Sequence, residues 1–258
     1  MFLGDYHTHT VYSHGKGTVE DNVRAAIAAG LKQLAITDHG FRHLTYNVRR
    51  GDWPYIMGDV EAARQKYPQI DIFLGLETNF NSLDGNIDIR PSDMPYLDVV
   101  VCGYHKLVLP HTPRDLFGLY IPNFFLNSFG KTSAKQTAKN TDAYIRALEK
   151  YDIDIISHIN HGCQVDAAAV AEAAAGYGTY IELNCKNMHG GQASMTDAEL
   201  EAVLKTKAEF IVDSDAHAPG KIGVFDRAVP IIERVGIPYE RIANWDRLPA
   251  FRSRRKRA

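Results

Sequence analysis

Seven short apolar runs recur along this chain, at Phe2–Gly4, Gln33–Ile36, Asp71–Leu76, Leu97–Val101, Ile153–Ile156, Thr179–Leu183 and Glu209–Val212. Several are β-branched and only four to six residues long, as strands of a buried parallel sheet are. Stretches of helical periodicity lie between them. "TVEDNVRAAIAAGL" opens with Thr18 as N-cap, has Asp21 three residues on and reaches Gly30 at its end. "DAAAVAEAAAGYG" and "TDAELEAVLKTK" repeat the form. Seven strand–helix repeats point to an α/β barrel, a distorted TIM-like (β/α)7 barrel, rather than a doubly wound open sheet, which would show a similar pattern. At 258 residues, one domain spanning the whole chain is expected.

Two segments stand outside this rhythm. Leu107–Lys131 is long, aromatic and punctuated by prolines, and reads as an insertion: a lid, a dimer contact, or an extra packed helix. Residues 252–258 form a basic tail, read as solvated and frayed. The chain as a whole is close to neutral, with 29 basic and 31 acidic residues, which excludes wholesale electrostatic attraction to nucleic acid or membrane. No apolar run is long enough to span a bilayer. The three scattered cysteines give no disulfide framework, and buried thiols in a reducing cytoplasm are expected.

Chemistry-bearing residues follow the apolar runs. The first is followed by His7 and His9, the second by His39, the third ends at Glu77, and the fourth and fifth lead to His105 and His158. The sixth leads to Asn184, and the seventh to Asp215 and His217. Any one such histidine is more often a packed core or surface residue. The set differs, because the strand ends of an α/β barrel share one rim, where reaction sites lie. Residues two apart on a strand face the same way, so His7 with His9, and Asp215 with His217, are expected to point together into the mouth. Imidazoles mixed with carboxylates suit Zn²⁺, Mn²⁺ or Fe²⁺. They are too many for one ion and fit two or three, with Glu77 as the acidic bridge. Two such metals roughly 3.5–4 Å apart form a clamp for hydrolysing phosphate esters.

The ordered series "DYHTHTVYSHGKGT…ITDHG…LGLE…GYH…ISH…ELN…SDAH" resembles the PHP (polymerase and histidinol phosphatase) superfamily, in its stand-alone, histidinol-phosphate-phosphatase-like branch. The resemblance implies a distorted seven-stranded barrel holding a trinuclear metal site. It assigns His7, His9, Glu77 and Asp215 to one metal, and Glu77, His105 and His158 to a second. His14, His39 and His217 go to the third. It departs from many relatives after His158, where Ile159-Asn160-His161-Gly162 replaces Pro-Gly.

The activity so implied is metal-dependent hydrolysis of a small phosphomonoester by a metal-bridging hydroxide, with Glu77, Asp215 and His217 at the chemistry. A nucleotide phosphatase or short-oligonucleotide exonuclease is the alternative. A non-catalytic metal-bound regulatory domain is a third reading, which the filled ligand positions oppose. Arg42, Lys106 and Lys186 are candidate phosphate contacts, and Asn184 a hydrogen-bond donor to substrate or ligand. Asp38 is assigned a supporting contact behind the ligands. His161, His43, His111 and His189 are read as surface histidines, and Arg49–Arg50 as an exposed pair. Substrate, metal identity and oligomeric state are not legible at this level.

Overall fold

A computed structural model describes residues 1–186 and 195–252. Seven parallel strands pair in sequence order: β1 (Gly4–Asp5), β2 (Gln33–Ile36), β3 (Asp71–Asn79), β4 (Val99–Gly103), β5 (Ile155–Ile156), β6 (Tyr180–Asn184) and β7 (Phe210–Asp213). A parallel bridge between Thr8 and Ala216 joins the segment after β1 to the segment after β7. At the other end Asn244 ties the same strands, donating to the carbonyls of Gly4 and Val212 and accepting from the Val212 N–H. Ile242 pairs in parallel with Phe210, and Leu3 donates to the Asn244 carbonyl. The C-terminal segment thus fills the gap between first and last strands, and the sheet becomes a nearly closed TIM-like α/β barrel.

The apolar runs are continuous because both strand faces are covered. Tyr6, Ala35, Phe73, Val99, Val101, Ile155, Tyr180 and Ile211 fill the barrel interior. Their alternating neighbours, among them Leu34, Ile36, Val100, Cys102, Ile156 and Val212, pack outward against the helices. Helix starts follow local chemistry. Thr18 and Thr196 make reciprocal capping boxes with Asp21 and Glu199, and Asp166 caps Ala167–Tyr177, which ends at left-handed Gly178.

One repeat lacks its helix. Between β3 and β4 the chain makes an irregular loop with a three-residue 3-10 turn, Met94–Tyr96. Its polar and proline-bearing sequence has no helical stripe, and carboxylates hold it instead. Asp88 accepts from the backbone and side chain of Asn79, and Asp93 pairs with Arg50 at 2.7 Å. Arg50 also lies 3.5 Å over the Phe41 ring, so the expected exposed arginine pair is half structural.

The 107–131 segment folds into a turn at Pro113–Asp115, a π-helical turn at Leu116–Tyr120 and a helix at Ile121–Ser128. Asn123 hydrogen-bonds Asn140 to anchor that helix, while Phe117, Phe124, Phe125 and Phe129 stay exposed. The tail does not fray at its start. Phe251 is buried 5.0 Å from Tyr6 and 5.7 Å from Phe73, and Arg252 bonds Asp154 and Asp152. Residues 253–258 lie outside the described residues. Among the described residues no helix is long and apolar enough to cross a membrane.

Candidate metal centre

The nine proposed ligands gather at the C-terminal mouth of the barrel. Glu77 is their centre, lying inside β3 rather than at its end. Its Oε1 is 2.8 Å from His158 Nε2, 3.3 Å from His7 Nε2 and 3.4 Å from His105 Nε2. Its Oε2 is 2.8 Å from His39 Nδ1 and 3.6 Å from His9 Nε2. Asp215 Oδ1 is 3.3 Å from His9 Nε2 and 3.9 Å from His7 Nε2. Donor atoms converge in three overlapping groups: His7–His9–Asp215, His39–Glu77–His105, and His9–His14–His39–His217. The first and last resemble two of the expected ligand sets, except that His9 also joins the His14 group.

The backbone is shaped to bring them in. His39 pairs with Glu77 across adjacent strands, with the Gly40 N–H donating to the Glu77 carbonyl at 2.7 Å. Asp215 and His217 do not follow strand alternation. Asp215 is left-handed (φ 49°), because the chain must turn inward beyond β7, and its carbonyl meets His217 Nδ1 at 2.9 Å. His158 is also at positive φ (30°), and its N–H donates to Glu182 at 2.8 Å. Such conformations concentrate at functional sites. A Cβ on Gly103 would come within 2.5 Å of His158 Cε1, so only glycine admits the ring there.

Several supporting residues were not foreseen. Glu182 Oε1 lies 2.6 Å from His7 Nδ1, and its Oε2 accepts from Asn184. Asn79 Oδ1 lies 2.6 Å from His105 Nδ1 and is itself held by Asp88. Carboxylate or amide partners on the far imidazole nitrogen fix ring orientation and tautomer in metal sites. Both partners lie on strands, and only the strand register links them to a particular histidine. Asp38, given a supporting contact from the sequence, accepts from Thr10 and Ser13 and braces the turn that carries His14.

The electrostatics suit cations. Burial pushes the Glu77 carboxyl up, but His105, His7, His39 and the bonded His158 outweigh it and hold it well below the ordinary range. Asp215 is held low in the same way, against burial, by His7, His9 and Lys186. Burial keeps His9 and His105 neutral. These are the protonation states that metal ligands need. His7 is the exception: burial opposes its charge, yet Glu77, Glu182 and Asp215 raise it well above the ordinary value. A bound cation would supply the same positive charge. His7 Nε2, His9 Nδ1 and Nε2, His14 Nδ1 and His158 Nδ1 are buried without a hydrogen bond. Buried polar atoms are seldom left so. Donor type, convergence and orphaned nitrogens together fit divalent metals.

The other candidates divide between the site and its surroundings. Arg42 donates to the carbonyls of Leu109 and Pro110, so it fastens the 107–131 segment instead of reaching the mouth; those carbonyls have the donor a loop backbone needs. Lys106 is exposed. Lys186 Nζ is 3.3 Å from Asp215 and 3.1 Å from His217 Nε2. Asn184 donates to Glu182 and to Asp215. His43 is not a surface residue. It is buried and stacked 5.5 Å from His39, drawn in by the site's aromatic wall, which includes Tyr46 stacked 4.2 Å from His14. His161 is half-buried 5.5 Å from His158, because the left-handed Asn160 turns it back. His111 is exposed and His189 lies outside the described residues.

Residues 5–190 match the family model described as PHP domain. The chain is 32% identical to a probable phosphatase of Yersinia enterocolitica, over 100% of this chain and 97% of that protein. It is 31% identical to a probable phosphatase of Shewanella sp. strain MR-4, over 93% of this chain and 86% of that one. Among solved structures it is similar to histidinol phosphate phosphatase from Lactococcus lactis, complexed with zinc, L-histidinol and phosphate. The TM-score is 0.62 at 15% identity, covering 98% of this chain and 97% of the other.

Proposed function

The chain belongs to the PHP domain family and is a metal-dependent phosphatase, and from that premise we propose that it hydrolyses small phosphomonoesters at the Glu77-centred cluster. The observation that carries this is the convergence of six imidazoles and two carboxylates on three overlapping groups of donor atoms.

His7, His9, Glu77 and Asp215 would hold one ion, His105, His158 and Glu77 a second, and His14, His39 and His217 a third. The ions, zinc, manganese or iron, would activate a water as nucleophile and draw charge from the phosphoryl oxygens. The protein's own part is positional. Glu182 and Asn79 lock the rings of His7 and His105, so the donors meet the ions without rearrangement. Burial of Glu77 and Asp215 keeps bulk water from screening their charge. Lys186, beside Asp215 and His217, is placed to receive a phosphoryl oxygen at the rim. Three buried free thiols support a reducing, cytoplasmic setting.

The test is elemental analysis of the purified protein with p-nitrophenyl phosphate turnover on the same sample. Two to three equivalents of metal and chelator-sensitive turnover are expected. Less than one equivalent, with no activity after metal is restored, would overturn the assignment.

A further inference from the structure

A cavity of about 310 Å³ opens beside Asp215 and His217, within the size range of small-ligand sites. Those two are the proposed metal ligands that border it; Glu77, His7, His105 and His158 do not. It therefore adjoins the cluster on its Asp215–His217 side and leaves the Glu77 side uncovered. Its wall carries Lys16, Lys186, Lys221 and Arg227, against one further carboxylate, Asp226. Val224 and neighbouring alanines supply an apolar side.

The four cations come from separate segments: the turn after His14, the end of β6, and the stretch after His217. Lys186 is spoken for by Asp215 and the His217 ring. Arg227 gives its guanidinium to the carbonyls of Cys185 and Lys186, at 3.3 and 3.4 Å. Among the described residues, Lys16, Lys221 and Arg227 form no ion pair with a carboxylate. Any one such side chain is an ordinary solvated cation. Four around one cavity, converging from distant points of the sequence, create a positive potential that an anion would relieve.

Resting on the phosphatase reading, we infer that this cavity receives the leaving group of the substrate and selects one that bears a second oxyanion. The reacting phosphoryl group sits on the imidazole–carboxylate cluster. The carbon skeleton lies along Val224, and the second anionic group meets Lys16, Lys221 and Arg227. A protonated amine in the same place would face these like charges, so amino-alcohol phosphates are the disfavoured class.

The experiment uses metal-reconstituted protein and four esters of similar size: glycerol 1-phosphate, O-phosphoethanolamine, 3-phosphoglycerate and propane-1,3-diol bisphosphate. The last two separate a carboxylate from a phosphate as the second anion. The expected order places one or both of them at least about tenfold above glycerol 1-phosphate in kcat/KM, the worth of one charge-assisted hydrogen bond. Lys221→Gln and Arg227→Gln are expected to lower that ratio by about tenfold each, mainly through KM. Equal rates for all esters overturn the inference. So does an equal loss on all esters in the variants, which would mean that the cations hold the reacting phosphoryl group.

A binding measurement separates the two readings. Calorimetry compares 3-phosphonopropionate with propylphosphonate, neither of which can be hydrolysed at a P–O–C bond. Tighter binding of the carboxylate compound, weakened in Lys221→Gln, supports the cavity assignment even if no ester turns over, a result that would overturn only the phosphatase reading. Equal binding of the two phosphonates overturns the inference.

Discussion

His7 Nδ1 lies 2.6 Å from Glu182 Oε1, and this contact leaves His7 Nε2 aimed at Glu77 and Asp215. Glu182 also receives the His158 N–H, so one buried carboxylate on β6 sets two ligands from different strands. Glu182→Gln is expected to weaken metal binding by about 10–100-fold, the usual consequence of losing such an outer partner. Competition with a chromophoric chelator measures it. Affinity equal to wild type would show that the ring is oriented by packing alone.

Metal removal should lower stability as well as activity. The cluster buries unpaired imidazole nitrogens beside Glu77 and Asp215, and an ion that binds only the folded chain stabilises it. At free metal about a hundred times Kd the gain is about 2.7 kcal/mol, or on the order of 5–10 °C in melting temperature for a chain of this size. Thermal melts with and without chelator give the value, and coincident melts would count against a metal bound to the native state.

Asp5 provides a pH signature. Burial pushes its carboxyl up to about 6, despite hydrogen bonds from Ser214 and Gly223. The folded chain therefore holds this proton more tightly than the unfolded one. The stability it contributes is fully present below about pH 4 and is lost as pH rises through about 6. Asn at this position cannot ionise. In metal-free protein, Asp5→Asn should gain on wild type steadily between those values, read as the difference in melting temperature. A constant difference would place the Asp5 titration in the ordinary carboxylate range.

Phe251 closes the bottom of the barrel against Tyr6, Phe73 and Tyr180. Phe251→Ala is expected to cost about 3–5 kcal/mol, from lost burial and the cavity it leaves. Denaturant unfolding reads the cost. Metal stoichiometry should stay that of wild type, since the ligands sit at the opposite mouth. A loss below about 1 kcal/mol would show the C-terminal segment to be dispensable padding.

The parallel barrel and its ligand rim were legible in the sequence for one reason. Covering both faces of a strand forces an unbroken apolar run, and the first polar residues after each run must emerge at the same end. His7, His9, His39, His105, His158 and Asp215 could therefore be grouped without knowing a single contact. Thr18, Asp166 and Thr196 were equally readable, because capping is settled within four residues.

What the tertiary structure alone decided lies across the chain. Glu182 reads as one more residue of a buried strand, and only the closure of the barrel sets it against His7. Asn79 and Asp88 are linked by a loop that holds a position where a helix was expected. Arg42 looked like a phosphate contact beside a motif, but the nearest acceptors were carbonyls 67 and 68 residues away. The four cations of the side cavity share no motif. Short-range periodicity records which way a side chain must face; which groups then meet depends on register and loop path, and those are fixed only when the whole barrel packs.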